Sequence, residues 1–219
     1  MELYDLLANR YSVRAFKPDP IDPEKINRAI SYAQRAPSWK NVQPYEVHAV
    51  TGKLKEELST AFLENIAQKI PPHPDEPYQD KWPTYMKRRM FNLGQKLYEF
   101  LGIARNDQEA RQKQFEQNYR FFGAPVVLFF FTEKEMKFWP EFDVGIFYGY
   151  VMLALLNEGI GSCPQASITI YPDMVREKLN LPENKKLLAG MSIGYPAETK
   201  INQFRSEREE LDKILFWHN

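Results

Sequence analysis

The chain is poor in the residues that most often announce a chemistry: it has one cysteine and three histidines in 219 residues, and no excess of either charge. A single thiol, Cys163, cannot form an internal disulfide, which fits a reducing, cytoplasmic compartment. His48, His73 and His218 are scattered without metal-ligand spacing, so no metal is expected. Lys and Arg total 29 against 29 Asp and Glu, so neither a nucleic acid nor an anionic membrane is an expected partner. The longest apolar run, 144–156, is too short to span a bilayer and reads as a buried helix. No secretory leader is visible; the chain starts in an amphipathic helical pattern with Asp5 inside it. Neither a Walker sequence nor Gly-x-Ser-x-Gly occurs. Gly159-Ile160-Gly161 follows a helical pattern instead of opening one and lacks a third glycine, so it is no dinucleotide fingerprint. Internal repeats and low-complexity tracts are absent too.

What is present is a core and several polar clusters. Apolar residues make up 43% and aromatics 14%, enough for one sizeable domain. Leu3, Leu6 and Leu7 form a helical stripe ending near Arg10. Asp22-Pro23 starts a second helix as N-cap and first residue, and that helix stops before Pro37. A strand is predicted at 45–50 and a helix at 52–68. Residues 70–83 hold five prolines and exclude a regular element. Helices at about 84–103 and 107–119 follow, so 70–120 reads as an insertion over a core that resumes at Gly123. A buried strand is expected at 126–131, a helix at 139–157, a strand or loop at 162–170, a short helix at 172–179 and a strand at 187–193. Asp143 reads as a helix cap. The order predicts an α+β fold.

Two clusters near the N-terminus suggest an anionic, aromatic ligand gripped at two ends. Arg10, Ser12 and Arg14 read either as a solvated helix end or as an anion site, since arginine offers a planar donor fork. Pro37-Ser38-Trp39-Lys40-Asn41-Val42-Gln43-Pro44 reads either as an ordinary loop or as a rigid one that presents polar groups to a ligand edge. Asn202, Arg205 and Arg208 belong either to a solvated tail or to the same anion site as Arg10. The tail then turns apolar at Ile214, Leu215, Phe216 and Trp217, and needs something to pack against. Cys163 could be taken for a nucleophile, but a free cysteine is most often a small buried hydrophobe.

In this order the segments resemble the nitroreductase family of FMN enzymes. The resemblance rests on Arg10-x-Ser12-Val13-Arg14-x-Phe16, Ala36-Pro37-Ser38-x-x-Asn41-x-Gln43-Pro44, Gly159-Ile160-Gly161-Ser162, Gly194-Tyr195-Pro196 and Asn202-x-Phe204-Arg205-x-x-Arg208-x-x-Leu211-Asp212. Phe121-Phe122-Gly123-Ala124-Pro125 and Cys163-Pro164-Gln165 are similar to the branch that includes reductases of nitrobenzoate-type compounds. The resemblance implies an α+β sandwich with a central mixed sheet flanked by helices, in an intertwined homodimer with C-terminal tail exchange. It implies FMN as cofactor, with NADPH or NADH as donor, and ping-pong hydride transfer through flavin N5 to a nitroaromatic or quinone-like acceptor. Arg10, Ser12 and Arg14 would hold the flavin, with Arg14 beside its N1–O2 edge to stabilise negative charge. Pro37, Ser38 and Asn41 would come from the partner subunit. Pro164, Gln165 and Ala166 would run along the flavin near N5, and Arg208, with Arg205, would bind the phosphate with Arg10. The insertion, with Tyr78, Trp82, Tyr85, Phe91 and Tyr98, would form a lid over a small aromatic substrate. Two departures stand out: Tyr45 replaces the family's tryptophan, and Arg208-Glu209-Glu210-Leu211-Asp212 lacks its proline, which leaves the phosphate role open between Arg205 and Arg208. Other chemistries on the same fold are reductive dehalogenation, oxidation of an amino-acid-derived substrate, or flavin binding without turnover.

Overall fold

A computed structural model describes residues 2–218. The helices among them are α1 (Leu3–Asn9), α2 (Pro23–Ala33), α3 (Gly52–Ala67), α4 (Thr84–Leu101), α5 (Gln108–Glu116), α6 (Phe138–Asn157) and α7 (Pro172–Leu179). The strands are β1 (Glu46–Thr51), β2 (Val126–Glu133), β3 (Gly161–Gln165) and β4 (Lys185–Gly194), in the order β1-β2-β4-β3.

The uninterrupted apolar run becomes the central strand. β2 is buried from Val126 through Thr132, and its side chains alternate between two helical layers. Val127, Phe129 and Phe131 pack with Phe62 of α3 and Val175 of α7. Val126, Leu128 and Phe130 pack with Ala29 and Ala33 of α2 and Phe147, Val151 and Leu155 of α6. Gly190 of β4 is required by close packing: a Cβ there would sit 2.2 Å from the Ile168 side chain.

The fold is α+β as expected, but its named strands all pair antiparallel. Among the described residues, parallel pairing is confined to the isolated bridge between Ser12 and Ser162. Strand direction depends on how each connection returns the chain, and the residue pattern within a strand does not encode that. Asp22 caps α2 as expected, accepting the Glu24 N–H at 3.0 Å. Asp143 does not cap α6. The helix begins five residues earlier, and Asp143 lies buried inside it.

The Pro-rich segment forms no regular element, yet it is fastened to the core. The His73 N–H donates to the Ile170 carbonyl, and the Asp75 carboxylate accepts the Leu187 N–H. Asp75 also pairs with Arg176; their side chains are 5% and 4% exposed.

Several apolar surfaces have no cover within one chain. α6 is expected to be buried, but burial is confined to the face carrying Val144, Phe147, Val151 and Leu155, while Phe142 and Tyr150 are exposed. No residue of α1 is buried. Ile214, Leu215, Phe216 and Trp217 are exposed at the end of the tail. The chain exposes 13939 Å², against about 10,500 Å² for a compact monomer of this mass.

Candidate functional site

The N-terminal segment and the tail meet beside β3. The Val13 N–H donates to the Ser162 carbonyl at 2.9 Å. The buried amide of Asn202 then ties the tail to the same segment: its Oδ1 accepts the Arg14 N–H at 2.8 Å, and its Nδ2 donates to the carbonyls of Ala15 and Ala197. Ala15–Phe16 is fixed from another side as well, because the Phe16 N–H donates to the Phe122 carbonyl. Phe121, Phe122 and Gly123 all carry positive φ, near 52°, 55° and 75°. Two bulky residues in the left-handed region cost about 1–2 kcal/mol each. The surrounding buried aromatics hold them there.

This junction creates a cleft of about 460 Å³, lined among others by Arg10, Ser12, Arg14, Arg205 and Arg208. Among the described residues no carboxylate lines it, and none of its four arginines forms an ion pair with one. The Arg205 guanidinium lies over the Tyr11 ring, 3.7 Å from its centre, and donates to the Asn202 and Phe204 carbonyls. Arg208 donates to Ser206 and to the Glu207 carbonyl. Burial, and then the adjacent Arg208 charge, pull Arg10 below the usual guanidinium value. Partly desolvated like charges that nothing neutralises make an anion site. Both tail arginines, Arg205 and Arg208, line it.

Cys163 neighbours this site but is not a nucleophile. Its thiol is buried, and burial pushes it up to about 11 against the opposing field of Arg14. The Gln165 side chain is held internally: Nε2 donates to the Asn118 carbonyl at 2.8 Å and Oε1 accepts from Ser192. Gln165 is buried, so its side chain is not free to reach a ligand. Ala166 is exposed, and its carbonyl accepts the Tyr78 hydroxyl at 2.7 Å. Pro164 is half-buried on the same strand.

Pro37, Ser38 and Asn41 do not line the arginine cleft. Their loop borders another cleft of about 450 Å³, with Trp39, Gln43 and Pro44. Lys40, Asn41 and Gln43 all have positive φ. The loop is held in this shape by the Ser38 hydroxyl, which accepts the Gln43 N–H, and by Asp143, which accepts the Trp39 N–H at 2.9 Å. The role of Asp143 was hidden in the sequence, because it crosses 104 positions of chain. Tyr45 stacks on Phe147 with ring centres 3.8 Å apart.

The lid aromatics divide by environment. Tyr78 reaches the turn after β3. Tyr98 lies under the Arg111 guanidinium and links α4 to α5, while Tyr85 lies under Arg89. Trp82 and Phe91 are exposed. The other end of the insertion meets the same turn: the Asn118 Oδ1 accepts the Ser167 hydroxyl, beside the Gln165 bond. No group of His, Cys, Asp and Glu able to hold a metal occurs among the described residues.

Comparison with known proteins decides the family. Residues 7–195 match the Nitroreductase family. The chain belongs to that family. Nitroreductase NfnB of Mycolicibacterium smegmatis is 35% identical over 210 residues, which is 95% of this chain and 89% of that protein. The 4-nitrobenzoate reductase of Pseudomonas putida is 33% identical over 206 residues, 93% and 90% of the two chains. The crystal structure of FMN and NADPH-dependent nitroreductase NfnB from sphigopyxis sp. strain HMH matches the fold with a TM-score of 0.96 at 36% identity, covering 100% of both chains.

Proposed function

We propose that this nitroreductase is an FMN-dependent oxidoreductase that takes hydride from NADPH, or from NADH, and reduces nitroaromatic or quinone-like acceptors. The observation that carries the reading is the arginine cleft, which offers four guanidiniums without a single carboxylate. That donor set fits a phosphate and the polar edge of a flavin. Relatives named as FMN and NADPH-dependent nitroreductase and as 4-nitrobenzoate reductase support the same chemistry.

Arg10, Arg205 and Arg208 bind the phosphate, and Ser12 supplies a hydroxyl beside them. Arg14 sets a cation at the ring edge where negative charge develops, held in place by the Asn202 bond to its backbone. Pro164, Gln165 and Ala166 contribute backbone along the ring. Bound FMN supplies the hydride chemistry in both half-reactions. The chain positions, excludes water and compensates charge, and it needs no nucleophile.

The working unit is a homodimer in which Pro37, Ser38 and Asn41 of each chain complete the partner's site and the apolar tail ends, Ile214 to Trp217, exchange. The uncovered faces of α1 and α6, the exposed tail and the excess surface support this. Residues 1–219 form one domain, with the 70–120 insertion as a lid over the acceptor. Tyr78 and Asn118 support that placement, since both ends of the insertion grip the turn after β3. A single cysteine, Cys163, which leaves no internal disulfide, fits a cytoplasmic setting.

The test is the visible absorption spectrum of the purified protein. Twin flavin bands that bleach with anaerobic NADPH and return with a nitroaromatic are expected. A colourless protein that takes up no added FMN contradicts the reading. Bound FMN that no donor bleaches would make it a flavin carrier.

A further inference from the structure

The tail after Asn202 alternates in sign: Arg205, Glu207, Arg208, Glu209. Two acids beside two phosphate-binding bases should weaken an anion site. All four border a cleft between α4 and the tail, but they have different partners: the acids pair with α4, and the bases also line the arginine cleft. Arg89, Leu93, Lys96 and Phe100 fall on one stripe of α4 at helical spacing. The tail runs antiparallel along that stripe: Phe204 packs on Phe100 at 5.6 Å, Glu207 pairs with Lys96, and Glu209 pairs with Arg89 at 2.6 Å. Arg205 and Arg208 line the arginine cleft, braced by backbone carbonyls of their own segment. Leu93 borders that cleft and also a second one between α4 and the tail. Arg88 and Lys213 add to the field of Arg89 and help hold the Glu209 carboxyl below its usual range.

We propose that Lys96 and Arg89 are positioning residues for the anion site: their ion pairs with Glu207 and Glu209 latch the tail to α4 and turn Arg205 and Arg208 into the cleft. The same pairs neutralise the two carboxylates that the sequence sets beside those arginines. The insertion thereby governs cofactor affinity as well as access to the acceptor. The identity of the anion rests on the FMN reading; the latch itself is a matter of these four side chains.

Two substitutions separate a latch from a simple field. In a dilution series of the holoprotein, released FMN fluoresces and reports its dissociation constant. The double variant Lys96→Gln, Arg89→Gln weakens FMN on either account. The double variant Glu207→Gln, Glu209→Gln removes negative charge near the phosphate, so a field alone would tighten binding. A latch predicts weakening there too, by about fivefold for two exposed pairs. The wild-type constant should rise with salt more steeply than that of either double variant. The charge swap Lys96→Glu with Glu207→Lys should restore affinity to within about twofold, while either half alone does not. Unchanged or tighter binding in the Glu variant, or a swap that fails to restore, overturns the latch and leaves the FMN reading standing. A wild-type protein that binds no FMN overturns both.

Discussion

Arg176 and the four cleft arginines use one side chain in opposite ways. Arg176 is buried against Asp75 and Asp173 and donates to the Lys185 carbonyl. Its carboxylate partners raise its pKa although burial, the largest single influence, opposes them. Arg10, Arg14, Arg205 and Arg208 share a cleft that no carboxylate lines, and Arg10 is pulled the other way. An arginine with two carboxylates serves the fold, here by fastening the Pro-rich segment to β4. An arginine without a carboxylate ion pair, in a cleft that none lines, is available to a ligand. The difference lies in the partners, so it can be tested by removing one side at a time.

The largest effect is expected on the structural side. Arg176→Met leaves the Asp75 carboxylate buried with its ion-pair partner gone and should lower stability by about 3 kcal/mol. Urea unfolding measures this, and FMN affinity per folded molecule should hardly change. A loss of FMN at full stability would erase the distinction between the two kinds of arginine. On the ligand side, Arg14→Ala should slow flavin reduction by NADPH about a hundredfold while weakening FMN less than tenfold. Stopped-flow bleaching and FMN titration give the two numbers. If flavin loss accounts for the whole defect, Arg14 only binds. The latch between α4 and the tail sits below these, at about fivefold.

Much of this was legible in the residues. Asp22-Pro23 marked the start of α2, and the run at 126–131 marked the central strand, since both signals are local. The five prolines correctly excluded regular structure at 70–83. Arg10, Ser12, Arg14, Arg205 and Arg208 were singled out in sequence and meet in one cleft. What could not be read was partnership across the chain. Asp143 looked like a cap because its true partner, the Trp39 N–H, is distant in sequence. Asp75 and Arg176 carry no local signal of each other, and neither do Tyr78 and the Ala166 carbonyl. The stripe Arg89, Leu93, Lys96, Phe100 was readable as helical spacing, but not what it faces. The run 144–156 read as a buried helix because its composition is apolar, whereas Phe142 and Tyr150 of α6 are exposed in one chain.

The most direct measurement is an FMN titration of Arg10→Ala beside the wild type. The Arg10 N–H closes α1 on the Leu6 carbonyl, but its side chain lines the cleft with no hydrogen-bond or ion-pair partner among the described residues. Its loss should raise the FMN dissociation constant at least tenfold with no loss of stability. An unchanged constant, or a fall in stability large enough to explain the change, would contradict the claim that the cleft keeps its arginines for the cofactor.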